Sequence, residues 1–136
     1  MKNPKQTSLR WLKEAVSTLE SARKIFSRNE DYNLVCFLSE QASQKALKGV
    51  AYFDGARTVP IHSIRELLKL SSEKHSELSG LMNDGAKLDQ YYLSTRYPDA
   101  VAEPAIPSEI FSADQAGDSL KIAEKIFSAS KKIIGG

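Results

Sequence analysis

Between Asp31 and Phe53 the chain carries apolar residues around most of a helix's circumference. At about 100° per residue, Val35, Leu38, Ala42, Ala46, Gly49, Val50 and Phe53 fill one broad face, and Cys36, Leu47 and Ala51 widen it. A helix with so little polar surface is stable only when neighbours cover it on several sides, which calls for a bundle with this segment in its middle. The rest of the chain supplies the neighbours. Leu9, Leu12, Ala15, Val16, Leu19, Ala22 and Phe26 recur at three- and four-residue spacing before it. Ala116, Leu120, Ala123, Phe127 and Ile134 do so near the end of the chain.

The punctuation divides the sequence into five helical segments near 8–28, 31–53, 63–71, 77–93 and 113–134. Asp31 is placed to cap the second, and Asp54-Gly55 to stop it. Pro60 makes 57–62 a loop, because proline lacks an amide donor and disfavours helix at the residue before it. Ser63 to Glu66 and Ser112 to Gln115 each have the spacing of a capping box. The third segment is carried by Ile64, Leu67 and Leu68. The fourth is carried by Leu78, Leu81, Met82, Leu88 and Tyr92, with Gly80 and Gly85 as weak points. After Leu93 the periodicity ends, and Pro98, Pro104 and Pro107 exclude a continuous helix to residue 107. No strand-like alternation of useful length and no internal repeat occurs. The expected fold class is all-α, an up-and-down bundle of four to five helices forming one domain over 1–136.

Lys and Arg number 19 against 17 Asp and Glu, a net charge of +2, so any attraction to nucleic acid must come from a local patch. A single cysteine, Cys36, and no leader-like opening lead to the expectation of a reducing, cytoplasmic setting. No run approaches the roughly 18 apolar residues of a membrane span. His62 and His75 belong to no metal-spaced cluster, neither glycine-rich phosphate loop occurs, and a nucleophile elbow is absent; no cofactor or metal is expected.

Three polar features depart from a plain bundle. Gln41, Lys45, Lys48 and Tyr52 fall within about 60° of one another on the second helix. This stripe is either the solvated side of that helix or a pair of ammonium groups suited to phosphate. Asp89 points along an apolar stripe, where a carboxylate needs a partner; Lys45, Lys48 and Arg96 are the candidate cations, in a structural ion pair or a site. Arg96-Tyr97-Pro98-Asp99 sets an arginine, an aromatic, a rigid turn and an acid side by side. Arg96 either satisfies helix-end carbonyls or grips a phosphate, with Tyr97 free to stack on a base. Tyr92 is expected in the core and Tyr91 outside it. His62 stands at the start of the third helix, and His75 is expected to face solvent.

Taken in order, Glu40-Gln41-Ala42-Ser43-Gln44-Lys45-Ala46-Leu47-Lys48, then His62 before Leu67-Leu68, then Leu88-Asp89-Gln90-Tyr91-Tyr92 running into Arg96-Tyr97-Pro98-Asp99 resemble the HEPN domain, the higher eukaryotes and prokaryotes nucleotide-binding family. The resemblance spans Trp11 to the last helix. It implies a bundle of the nucleotidyltransferase substrate-binding-subunit type, usually a homodimer with a polar site near the dimer interface. It also implies a small prokaryotic protein paired with a minimal nucleotidyltransferase in a toxin–antitoxin-like module. Carried onto this chain, Lys45 and Lys48 meet phosphate, Arg96 lies in a polar groove shaped by Tyr97 and Asp99, and Gln41, His62 and Asp89 complete the nucleotide- or RNA-binding set.

The departure from the family's ribonuclease members concerns histidine. Those members carry an arginine, four to six residues, then a histidine, and no histidine follows Arg96. Arg57 and His62 have a four-residue gap, but Pro60 between them opposes helical convergence, and the match is read as coincidence. Without an arginine and histidine converging on a phosphodiester, RNA cleavage lacks its general acid and clamp. The leading expectation is therefore a noncatalytic nucleotide- or RNA-binding module. The alternatives are a metal-independent ribonuclease toxin and a purely structural, partner-binding bundle.

Overall fold

The computed structural model describes residues 3–135, which form an all-helical bundle. Its long elements are α1 (Pro4–Ser27), α2 (Tyr32–Phe53) and α7 (Ala113–Ile134). Between α2 and α7 lie α3 (Ile64–Ser72), a 3₁₀ turn (Ser76–Leu81), α4 (Met82–Asp89), the single-turn α5 (Tyr91–Ser94), a second 3₁₀ turn (Pro98–Ala100) and α6 (Pro107–Ile110).

α2 is central, as its apolar circumference requires. It packs on α1, α7 and α3 and touches α4, α5 and α6. Val35, Cys36, Ala42, Ala46, Leu47, Gly49, Val50 and Ala51 are buried, while Leu38 and Phe53 are half-buried. At Gly49 three helices converge: a Cβ there would lie 3.2 Å from the Ser8 carbonyl of α1 and 3.3 Å from Ile134 Cδ1 of α7. Ile64, Leu67, Leu68, Leu78 and Leu88 are fully buried against this centre. Each such side chain contributes roughly 1.5–3 kcal/mol of transfer free energy.

The helix ends follow local chemistry, with some departures from expectation. α1 begins at Pro4, ahead of the apolar pattern, because the Asn3 side chain accepts from the amides of Lys5 and Gln6, at 2.9 and 3.2 Å. Ser112 and Gln115 close the full capping box at α7. Ser63 accepts from Glu66 N at 3.2 Å. Asp31 does not cap α2 with its side chain. Its backbone is left-handed (φ 52°), and its carbonyl accepts from Leu34 and Val35 instead.

The expected fourth helix is broken into the 3₁₀ turn, α4 and α5. Gly85 also has a packing role: the glycine lets α4 lie on α3, since a Cβ would meet Leu68 Cδ1 at 2.6 Å and Ile64 Cγ2 at 3.0 Å. The two tyrosines are exchanged relative to expectation. Tyr91 is buried edge-on against Phe111 at 5.8 Å, and Tyr92 is half-buried. Both rings follow the buried Leu88 by about one helical turn, and the packing of Phe111 on Tyr91 decides which of the two is enclosed. His75 also departs from expectation: its Nε2 lies 2.9 Å from the Asp54 carboxylate, tying the turn after α3 to the end of α2.

Gly85→Ala is expected to destabilise the protein by about 1–3 kcal/mol through overpacking, whereas Gly80→Ala, at a position open to solvent, is expected to cost little. Urea denaturation of the two variants beside wild type checks this, and equal stabilities for both would refute the close contact at Gly85.

Candidate functional site

One stripe of α2 escapes full burial, running through Leu34, Phe37, Gln41, Lys45, Lys48 and Tyr52. Beside its N-terminal half lies the arm formed by α4, α5 and the residues up to Asp99. Asn33 Nδ2 donates to the Thr95 carbonyl at 3.1 Å, and Thr95 Oγ1 donates to the Tyr91 carbonyl at 2.6 Å. These bonds, with the buried Tyr91 ring, hold the chain immediately before Arg96 against the start of α2.

Arg96 is the most elaborately held cation. Its Nε and Nη2 donate to the Tyr92 carbonyl at 3.1 and 2.6 Å. Its guanidinium carbon lies 4.3 Å from the Phe37 ring centre, 4.9 Å from Tyr97 and 5.3 Å from Tyr92. Among the described residues the ion pairs join Arg23 to Glu124, Lys45 to Glu14, Lys125 to Asp84 and His75 to Asp54, and Arg96 stands outside them. Two of its five N–H donors serve Tyr92, so three are left for another acceptor. Arg96 thus does satisfy a helix-end carbonyl.

Asp89 has none of the three expected cations as its hydrogen-bond partner. Its Oδ2 accepts from Ser63 Oγ at 2.8 Å and Arg65 N at 3.2 Å, and its Oδ1 accepts from Ile64 N at 2.6 Å. The carboxylate therefore satisfies the free donors at the N-terminus of α3, where the helix dipole also favours negative charge. It is a structural clamp between α3 and α4, and it fixes the residue before Ser63. That residue, His62, stacks on Tyr92 with ring centres 5.5 Å apart and planes at 16°. His62 and Arg96 consequently meet the same tyrosine from positions far apart in sequence. Arg57 is exposed in the intervening loop, which is not helical.

The two lysines part company. Lys45 donates to Thr18 Oγ1 at 2.8 Å and pairs with Glu14 at 3.1 Å, both on α1, so its charge is partly committed. Lys48 lies 5.7 Å from the centre of the Trp11 ring, which stacks on Tyr52 at 5.8 Å. Burial holds the Lys48 amine below its usual pKa, and the nearby Glu40 charge pulls it back up. Tyr97 is half exposed and Asp99 exposed in the second 3₁₀ turn.

The sequence reading did not single out Glu40 as a site residue. It is 0 % exposed, with Oε1 accepting from Gln41 Nε2 at 2.8 Å and Oε2 from Gln44 Nε2. Its pKa is raised to about 7, chiefly by burial and also by the Asp89 charge, against the lowering effects of the hydrogen bonds from Gln44 and Gln41 and of the Arg96 charge. The available signal was its phase, three residues after Phe37 and in line with Gln44 on an otherwise apolar helix. Among the described residues no group of histidine, cysteine, aspartate and glutamate gathers as a metal site, and no helix is long and apolar enough to cross a membrane.

The fold is an all-α bundle with a polar stripe on its central helix facing an arginine-bearing arm. The HEPN domain profile matches residues 8–134, and the chain belongs to that family. TT1696 from Thermus thermophilus superposes with a TM-score of 0.85 at 30% identity, covering 93% of this chain and 97% of that one. ST0689, an archaeal HEPN homologue, superposes with a TM-score of 0.76 at 33% identity over 98% and 99% of the two chains. Human sacsin is 30% identical over 110 residues, 79% of this chain and 2% of sacsin. The chain thus spans a small fraction of that relative.

Two outcomes follow for the site. Asp89→Ala leaves the α3 donors without their acceptor and is expected to cost about 1–3 kcal/mol of stability, read by urea unfolding; an unchanged midpoint would remove the clamp. The second concerns pH. The folded pKa of Glu40 is raised above its ordinary 4.5, so folding favours the protonated acid. That contribution is fully present below the unfolded value and is lost as pH rises through about 7. Glu40→Gln should therefore gain stability relative to wild type between about pH 5 and pH 8. A difference that stays constant across that range would show that Glu40 does not titrate there.

Proposed function

We propose that this HEPN domain binds a nucleotide or RNA phosphate in the groove between the open stripe of α2 and the α4–α5 arm, with Arg96 as the principal anion ligand and Lys48 as a second cation. The observation that carries the reading is the unpaired, aromatic-stacked guanidinium of Arg96, with three donors to spare. Stacking and the Tyr92 carbonyl hold the group in place before a ligand arrives, which reduces the ordering cost of binding. Tyr97, half exposed beside it, offers a face for a base.

The wider reading is a homodimer working with a minimal nucleotidyltransferase in a toxin–antitoxin-like pair. Leu93, Tyr97, Ile106 and Ile110 support an assembly, because these exposed apolar side chains fall within one stretch of chain around Arg96. Of the residues assigned to the site, Gln41, Lys48, His62, Arg96 and Tyr97 are its ligand-facing members. Asp89 acts as a clamp, Lys45 is shared with α1, and Asp99 is at the rim.

A second reading is metal-independent RNA cleavage, with His62 as general acid or base and Arg96 as phosphate clamp. It is favoured by the shared contact of both residues with Tyr92, which replaces the missing sequence spacing by a tertiary one. Geometry decides such pairs, whatever their order in the chain.

Calorimetric titration with ATP and with short single-stranded RNA tests the first reading. Arg96→Ala is expected to weaken binding by about tenfold or more, and added salt to weaken it in wild type. Absence of heat at low salt for every ligand removes the reading. For the second, a fluorogenic RNA substrate should be cleaved by wild type without added metal and spared by His62→Ala; cleavage that survives this change excludes His62 as the acid or base.

A further inference from the structure

The Glu40 carboxylate bears on what kind of ligand the groove accepts. Ionised, a carboxylate only accepts hydrogen bonds, so a neighbouring amide must turn its NH₂ end toward it. Glu40 does this to two glutamines at once: Gln41 Nε2 donates to Oε1 at 2.8 Å, and Gln44 Nε2 donates to Oε2. Gln44 is buried, whereas Gln41 is only partly so and lies on the open stripe of α2. Gln41 is also one helical turn from Phe37, whose ring carries the Arg96 guanidinium at 4.3 Å. With its nitrogen drawn to Glu40, the Gln41 carbonyl oxygen is turned away from that carboxylate. A free glutamine on this stripe could have offered either end of its amide to a ligand. This one is held with its acceptor presented.

We infer that Glu40 is a positioning residue for specificity: by orienting the Gln41 amide it makes the groove select ligands that bring a hydrogen-bond donor about one helical turn from the anion held at Arg96. The inference rests on the nucleotide reading above and narrows it. Gln41 was assigned with the phosphate ligands, yet an outward carbonyl oxygen would repel a phosphate oxygen. It suits an N–H or O–H, as on an exocyclic amino group of a base or a ribose 2′-hydroxyl. Burying an acceptor that meets no donor is costly, so a ligand lacking the group is penalised more than it would be by a flexible side chain. Inorganic polyphosphate satisfies Arg96 and Lys48 but leaves Gln41 unmatched.

The test compares four ligands at about pH 8, above the value to which burial raises Glu40: ATP, purine riboside triphosphate, 2′-deoxy-ATP and tripolyphosphate. In wild type, tripolyphosphate and at least one of the two analogues are expected to bind about tenfold more weakly than ATP, the weakened analogue identifying the donor. Glu40→Gln offers one oxygen and one NH₂ to the two glutamines, so one amide is freed to turn, and the preference for ATP is expected to fall to about threefold or less. Because that variant removes a buried group, the partly exposed Gln41→Met serves as an independent check and should bring ATP down to the affinity of tripolyphosphate. Equal binding of all four ligands by wild type overturns the inference and leaves the anion site standing. Failure of all four to bind overturns both. The side-chain ¹⁵N–H signals of Gln41 give a ligand-free readout: they should move on Glu40→Gln, and signals that stay in place refute the contact on which the orientation depends.

Discussion

Covering α2 on nearly every side is the constraint around which this protein is arranged. α1, α7 and α3 take most of its surface, and at Gly49 the α1 backbone and an α7 side chain approach so closely that no side chain fits without movement. Among the polar residues of a helix enclosed in this way, Gln41, Lys45 and Lys48 reach the open stripe, while Glu40 is buried with partners from the helix itself, Gln41 and Gln44. The same enclosure raises the cost of ionising Glu40 and lowers that of neutralising Lys48. Two titratable groups on one helix are thus shifted by one cause.

The arm beside the stripe is held in place in a different way. Its elements are short, and α5 is a single turn, so little of its order comes from helix formation itself. Order comes from points of attachment: Asp89 on the α3 amides, Tyr91 against Phe111, Asn33 on the Thr95 carbonyl and Gly85 under Leu68. Between these fixed points Tyr92 carries His62 and Arg96. The polar groups that look like a binding site are therefore mounted on a scaffold whose own polar groups are spent on holding it together. Asp89 belongs to that scaffold, although its charge contributes to the field at Glu40.

Membership of the HEPN family and the likeness to TT1696 and ST0689 bear on the fold. A shared fold carries no chemistry by itself. The chemistry of this chain lies in local features: an arginine outside the ion pairs, a histidine that meets the same tyrosine, and a buried carboxyl hydrogen-bonded to two glutamine amides.

The legible part of the sequence was the part with long periodicity. The three long helices, the buried faces of α2 and α3, and the full capping box at Ser112 follow from spacing alone, because a helix of many turns repeats its pattern often enough to be unambiguous. The segment from Ser76 to Phe111 was legible only as an interruption. In elements of one or two turns, spacing does not choose between neighbours such as Tyr91 and Tyr92, which both follow the buried Leu88 by about one turn; contact with Phe111 chose Tyr91. Arg96 and the α2 stripe could be picked out by residue type and phase. Their partners could not: Asp89 was matched to cations because a carboxylate in an apolar place needs a counterpart, and tertiary structure supplied helix-end amides instead. Lys45 found Glu14 on α1, and His75 found Asp54, for the same reason. Residue type determined which groups needed partners. Only the packing of α4 and α5 against α2 and α3 decided which partners they met, since those contacts span tens of residues and have no local signature.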